Sequence, residues 1–179
     1  RVGDRVVIEK SGEIIPKVIR VIESSEEREE PFKMPTVCPK CQSSVHREKD
    51  EVVWRCVNTS CPAKLKESLK HFSSRKAMDI DQFGPAIIEQ LIDSGRVKNF
   101  SDLYTLKVDD LVSLERMADK SAQNLISSIE KSKSAGLSRF LYALGIRHLG
   151  QRTAILLAKK FKSIKVLQET SYEELEKSD

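Results

Sequence analysis

Cys38-Pro39-Lys40-Cys41 and Cys56-Val57-Asn58-Thr59-Ser60-Cys61 contain all four cysteines of the chain, as two pairs spaced C-x2-C and C-x4-C with fourteen residues between them. Two thiolates on one tight turn can reach a single cation, and two such turns complete the closed tetrahedral shell that Zn²⁺ takes in structural sites. The spacing predicts a structural zinc held by Cys38, Cys41, Cys56 and Cys61. A catalytic zinc keeps one position open, whereas four cysteines fill the shell, so the metal is a fold determinant rather than a reagent. Disulfides and unconnected buried thiols are the competing readings. A disulfide framework suits short secreted chains, and this chain shows no secretory segment and is long enough to build a core without staples. A redox C-x-x-C would need a βαβ context, which the flanking sequence lacks. His46 is either a rival ligand or a solvated loop residue.

With 179 residues the chain has room for one domain or for two or three small ones. Charged residues make up 32% and hydrophobic ones 39%, the balance of a soluble protein. No apolar run approaches the roughly 20 residues that cross a bilayer, so no membrane partner is expected and cytoplasm is the expected location. The chain starts at Arg1 without Met and stops at Asp179 within a charged segment, which suggests a piece of something longer. Its net charge of +4 is unevenly spread. From Lys120 to Lys165 the basic residues are Lys120, Lys131, Lys133, Arg139, Arg147, Arg152, Lys159, Lys160, Lys162 and Lys165, and Glu130 is the only acid. Such a block is either the footprint of a polyanion, DNA or RNA, or a solvated basic face.

Residues 1–23 read as strands: Val6-Val7-Ile8, a Ser11-Gly12 turn, then Ile14 to Ile22 rich in β-branched residues. Pro16 cannot donate to a ladder and is expected at an edge or bulge. Residues 24–35, opened by the acidic run Glu23 to Glu30, read as a linker. Val52-Val53-Trp54-Arg55 is expected to be a strand of the zinc module, residues 36–63, with Trp54 packed over the metal or stacked on a base. After Cys61 the pattern turns helical. Pro62 suits a first turn, and Leu65, Leu69 and Phe72 recur at helical spacing. Further apolar faces run through Ala86-Ile87-Ile88-Leu91-Ile92, through Ala122, Leu125, Ile126 and Ile129, through Phe140, Leu141 and Leu144, and through Ala154, Leu157, Ala158 and Phe161. Gly95, Gly136 and Gly145 are the expected stops. Ser171-Tyr172-Glu173-Glu174 has the capping-box pattern of one more helix.

The stretch from Leu144 to Ala154, Leu144-Gly145-Ile146-Arg147-His148-Leu149-Gly150-Gln151-Arg152-Thr153-Ala154, lies between two amphipathic helices. Gly145 can take the positive φ that ends a helix, and Gly150 lets backbone approach a ligand closely. Ile146 and Leu149 are the apolar anchors. The next helix begins where Gln151, Arg152 and Thr153 stand, and its unpaired N–H groups and dipole make a phosphate site. Two weaker copies precede it, Ile80 to Ala86 around Gly84 and Leu114 to Ala122 around Lys120 and Ser121. Repetition of one supersecondary unit favours phosphate-backbone binding over a purely structural bundle. The candidate contacts are Gly84, Lys120, Ser121, Gly145, Ile146, Arg147, Gly150, Arg152 and Thr153. Backbone amides and cations grip phosphates whatever the base, so no sequence specificity is expected.

These turns resemble helix-hairpin-helix units, and their order after a strand-rich end and a four-cysteine module resembles the middle and C-terminal part of bacterial NAD⁺-dependent DNA ligases. The residues that carry the resemblance are Val2 to Ile8 with Gly12 to Val18, similar to the last strands of that family's OB-fold, and the two cysteine knuckles with Pro62-Ala63. They also include His71 to Ile80, Lys120 to Leu125, and Arg139 to Arg147. The resemblance implies a mostly α, multidomain fragment: OB-fold strands over 1–23, a linker over 24–35, a zinc finger over 36–63, and an incomplete helix-hairpin-helix domain over 64–179 that lacks a fourth hairpin. It further implies a monomeric parent enzyme that seals nicked duplex DNA in replication and repair through an adenylated lysine. NAD⁺ and Mg²⁺ would be bound outside this segment, which would itself carry no catalytic residue. The helical array is expected to lie across the minor-groove side of the duplex, oriented by the zinc module. Gln82, Arg116 and Ala118 stand where that family often has glycine, which marks the first two hairpins as closer to spacers. A non-enzymatic zinc and helix-hairpin-helix scaffold, or a subunit of a DNA-repair nuclease, are the alternative functions.

Overall fold

The computed structural model describes residues 1–12, 14–23 and 29–176. Residue 13, residues 24–28 of the expected linker, and residues 177–179 at the end of the expected helical domain lie outside the described residues. Two units make up the chain, residues 1–38 with 43–56 and residues 39–42 with 57–179.

In the first unit, β-branched residues on both sides of the Gly12 turn form β1 (Arg5–Ser11) and β2 (Ile15–Glu23), which pair antiparallel. The register shifts between Arg5 and Val6 and again between Val7 and Ile8, the sign of β-bulges. Pro16 stands opposite Lys10. In a two-stranded sheet both strands are edges, so the missing N–H of Pro16 breaks no interior ladder. The ribbon leaves its apolar side chains uncovered: Ile8, Ile15, Val18 and Ile22 are all at least 59% exposed. A second, minimal ladder joins β3 (Val45–His46) to β4 (Arg55–Cys56). The strand expected over Val52 to Arg55 is therefore present only at its last residue. With just two residues facing it across the ladder, β4 has nothing to pair further back, and Val52 is left 86% exposed. Trp54 packs against the Arg47 guanidinium, 5.5 Å from the ring centre.

The second unit is helical. Its elements are α1 (Pro62–Ser73), α2 (Pro85–Asp93), a 3-10 turn (Ser101–Thr105), α3 (Val108–Val112), α4 (Asp119–Ser132), α5 (Leu137–Ala143), α6 (Gln151–Phe161), α7 (Ile164–Glu169) and α8 (Tyr172–Glu176). Pro62 and Pro85 both sit at first-turn positions, where the absent N–H would have had no helical partner. The expected apolar faces meet in one core, in which Leu69, Phe72, Ile88, Leu91, Leu125 and Ile129 are almost wholly buried. Each such side chain contributes about 1.5–3 kcal/mol by leaving water. Phe72 stacks on Phe100 with centroids 4.6 Å apart. The buried hydroxyl of Ser132 donates to Ile129 O at 2.6 Å and lies 3.0 Å from the Tyr104 hydroxyl, so its burial leaves no unmet bond.

The 3-10 turn and α3 were not visible as apolar periodicity, since five residues are too few for a stripe. First-turn acids that reach back to the preceding backbone brace them instead, and Asn99 Oδ1 accepts from the N–H groups of Ser101 and Asp102. Asp102 accepts from the N–H groups of Lys98 and Asn99, and Asp110, at the third position of α3, from that of Lys107. Ser171 accepts from Glu174 N at 3.3 Å, one half of the capping box expected there.

Three corners repeat the same backbone. Gln82, Arg116 and His148 have φ of 61°, 60° and 65°, each two residues before a helix cap. The caps, Gly84, Ala118 and Gly150, are extended, with φ of −78°, −89° and −78°. Ala118, which stands where the family often has glycine, carries no left-handed cost, because a Cβ is compatible with extended backbone; Gln82 and Arg116 do carry it, and so does His148 in the third corner. A left-handed residue with a Cβ costs roughly 1–2 kcal/mol, and glycine returns about half of that to the unfolded chain. Gln82→Gly is expected to stabilise the chain by about 0.5–1 kcal/mol. A thermal melt checks it, and an unchanged or lower Tm would show that the corner is not strained.

Candidate metal centre and nucleic-acid interface

The first knuckle is shaped by its own backbone: Cys38 N donates to Ser43 O at 2.7 Å, and Gln42 turns the chain at φ 58°. At the second, Cys61 N donates to Asn58 O at 3.4 Å, and Cys61 O accepts from Leu65 N as α1 begins. Cys38 and Cys61 are buried, Cys41 and Cys56 are partly so, and the four Sγ atoms all lie within 4.8 Å of one another. Zn–S bonds of about 2.3 Å in a tetrahedron put sulfurs about 3.8 Å apart, so the set closes on the ion with small adjustments. An all-thiolate donor set fits Zn²⁺ and leaves no open position for catalysis. His46 stands outside the cluster, exposed and 3.8 Å from Glu48.

The helix starts differ in what they offer an anion. At α2, Pro85 has no N–H and those of Ile87 and Ile88 already reach Gly84 O, which leaves Ala86. At α4 the amides of Asp119, Lys120 and Ser121 have no partner among the described residues, and at α6 the same holds for Gln151, Arg152 and Thr153. The shared backbone aligns Lys120 with Arg152 and Ser121 with Thr153, a cation followed by a hydroxyl in the first turn. The first corner has Ala86 and Ile87 at those places, so Gly84 stands at the poorest of the three. The second carries Asp119 where the third has Gln151.

The corners also differ in how far they are committed to the protein. Asp81 N donates to Ser128 Oγ at 2.8 Å, and Glu115 N donates to Gln90 Oε1 at 2.7 Å. Ile80, Phe83, Leu114 and Met117 are buried beneath these two corners. In the third corner Ile146, expected as an anchor, is 50% exposed, and Leu149 is half-buried. Gly145, Arg147, Gly150, Arg152 and Thr153 are all exposed there, and a Cβ on Gly150 would meet nothing within 4 Å. The chain's own packing thus leaves room at Gly150 for an approaching ligand. Gly145 ends α5 with φ 63°, as expected.

Residues 37–63 match the NAD-dependent DNA ligase C4 zinc finger domain. Residues 74–131 match the SAM-like helix-hairpin-helix tandem and residues 139–179 the helix-hairpin-helix motif. A curated DNA ligase of Solibacter usitatus is 48% identical over the whole chain, which spans 27% of that protein. DNA ligases of Geotalea uraniireducens and Anoxybacillus flavithermus are 52% and 51% identical over 98% of the chain and 26% of their own length. The chain belongs to the NAD-dependent DNA ligase family.

This ligase segment spans about a quarter of the curated relatives it matches. Two of its contacts had no sequence signal. The ring Nε2 of His71 lies 2.8 Å from Tyr142 O. A carbonyl only accepts, so the ring proton is on Nε2, and the same oxygen also accepts from Gly145 N at 3.1 Å. In this way α1 pins the turn that precedes the third corner. The second contact reduces the expected basic footprint of the ligase segment. Arg139 is tied internally, donating to Ala77 O at 2.5 Å and Arg75 O at 2.6 Å, and Lys133 pairs with Glu130 at 2.7 Å. Lys120 and Arg152 form no ion pair among the described residues. No helix of the described residues is long and apolar enough to cross a membrane.

Proposed function

We propose that this chain is the non-sequence-specific duplex-binding portion of a bacterial NAD⁺-dependent DNA ligase. One observation carries the reading: the third corner exposes Gly150 and, at the start of an 11-residue helix beside Arg152 and Thr153, three amides with no partner among the described residues. Amide hydrogens, a helix dipole and a guanidinium suit a phosphodiester and read no base. Gly84, Lys120, Ser121, Gly145, Ile146 and Arg147 are proposed as the further contacts, with the third corner dominant. Cys38, Cys41, Cys56 and Cys61 are proposed as the zinc ligands, and the ion would supply a cross-link and no chemistry. In the whole enzyme, acting as a cytoplasmic monomer on nicked duplex, adenylation, NAD⁺ and Mg²⁺ would belong to other segments. The contribution of this one would be to hold the duplex so that the nick termini stay in line, the positioning part of catalysis.

Fluorescence anisotropy with nicked and intact duplexes of several sequences tests this. Affinities should be similar across sequences, and for three phosphate contacts Kd should rise roughly 40-fold between 50 and 200 mM salt. A flat salt response, or no duplex binding, would favour the scaffold reading instead.

A further inference from the structure

Arg75 and Lys76 precede the first corner in sequence but share a cleft with the start of α6. The cleft has a volume of about 530 Å³ and is lined by these two residues with Ser138, Arg139, Tyr142, Gln151 and Ile155. We propose that it is a second phosphate site, which receives the nucleic-acid backbone next to the third corner; this rests on the duplex-binding reading above.

Charge is the first support. No acid lines the cleft, and Arg75 and Lys76 are exposed and form no ion pair among the described residues. The groove flanked by Lys40, Lys66 and Lys70 is different, since Lys66 bonds Glu89 at 2.8 Å, Lys70 bonds Glu67 at 2.7 Å, and Asp93 adds a further acid. There the Lys66 hydrogen bond and charge hold the Glu89 carboxyl below the usual carboxylate range, with smaller help from Lys40 and Lys70, so those cations are already answered.

Rigidity is the second. The turn that presents Arg75 and Lys76 is fixed by Ala77 N and Asp79 N to Ser74 O, and by Met78 N to Phe72 O, all at 2.9–3.0 Å. Arg139 reaches across from α5 to the carbonyls of Arg75 and Ala77. Its guanidinium lies 3.9 Å from Asp79, the nearest acid, and Asp79 is not among the lining residues. The two cations therefore project from a scaffold braced onto α5, and binding need not order the backbone first.

The third is continuity. Gln151, which lines the cleft, follows Gly150 and precedes Arg152. A strand gripped by the α6 amides would pass the cleft that Gln151 shares with Arg75 and Lys76.

The test compares the zinc-loaded chain with Arg75→Ala/Lys76→Ala, with Arg152→Ala, and with Lys131→Ala/Lys133→Ala as a charge-matched control at the end of α4 far from its corner. The first pair keeps the backbone carbonyls that Arg139 uses, so zinc content and the thermal melt should be unchanged. Duplex Kd at 100 mM salt should rise about tenfold or more, and the slope of log Kd against log salt should fall by about 1.8, for two lost phosphate contacts. The control pair should change both much less. Titration with AMP and with inorganic phosphate, followed by amide chemical shifts around residues 75 and 151, separates a backbone site from a pocket for a free nucleotide. If AMP binds there tightly while duplex affinity is unaffected by the double variant, the backbone assignment is wrong. An unchanged Kd and slope in Arg75→Ala/Lys76→Ala, together with a clear loss in Arg152→Ala, overturns the second site alone. Equal losses in the control pair also overturn it, and no duplex binding by the unmodified chain removes the reading beneath it.

Discussion

Cys56→Ser is expected to lose its zinc and to unfold residues 36–63. The four sulfurs lie within 4.8 Å of one another and are held mainly by two short knuckles and a ladder of two residues per strand. So small a module has little apolar burial of its own: Val52 is 86% and Val53 50% exposed. The metal must therefore supply most of its stability, and structural zinc in isolated fingers supplies roughly 10–16 kcal/mol at neutral pH. Replacing one thiolate by a hydroxyl removes a strong ligand and leaves three converging thiols. Metal analysis should find the zinc lost, and hydrogen exchange should show protection gone from 36–63 but retained in α2 and α4, whose core does not use the ion. A variant that keeps its zinc and its protection would refute the four-thiolate centre.

Gly145→Val is expected to cost about 1–3 kcal/mol of stability and at least tenfold in duplex affinity, with zinc retained. Gly145 has φ 63°, a conformation that a β-branched residue strongly resists. A Cβ there would already lie 3.5 Å from Cδ2 of His71, so the two γ-methyls of valine would push on a ring fixed by its bond to Tyr142 O. Either the turn opens or α1 and α5 separate, and both move the third corner. Gly145→Ala meets the φ cost without the methyl clash and should fall between the two. If Gly145→Val melts and binds like the unmodified chain, the corner neither needs glycine nor leads the contact.

The parts of this chain that can be read from sequence are those where spacing is itself the physics. Two cysteine pairs announce a tetrahedral ion, and Leu125 with Ile129 announces a buried helical face. The third corner was legible because Gly145 and Gly150 bracket it and cations follow. What stayed hidden depends on partners distant in the chain. Nothing near His71 signals the Tyr142 carbonyl, 71 residues away. Arg139 reads as a surface cation until its two carbonyl partners are seen, and nothing in the sequence around Arg75 places it in a cleft with the start of α6. The strand expected over Val52 to Arg55 shrinks to Arg55–Cys56, since β propensity cannot say how many residues the opposing strand provides.

The uncovered ribbon has a practical consequence. β1 and β2 show Ile8, Ile15, Val18 and Ile22 to water along two bare edges, the arrangement that invites strands of neighbouring molecules to add on. Handling of the purified polypeptide, its shelf life and the concentration it tolerates, is thus expected to depend on β1 and β2. A shortened version beginning near Pro31 would omit that sticky surface and keep every cysteine and every helix.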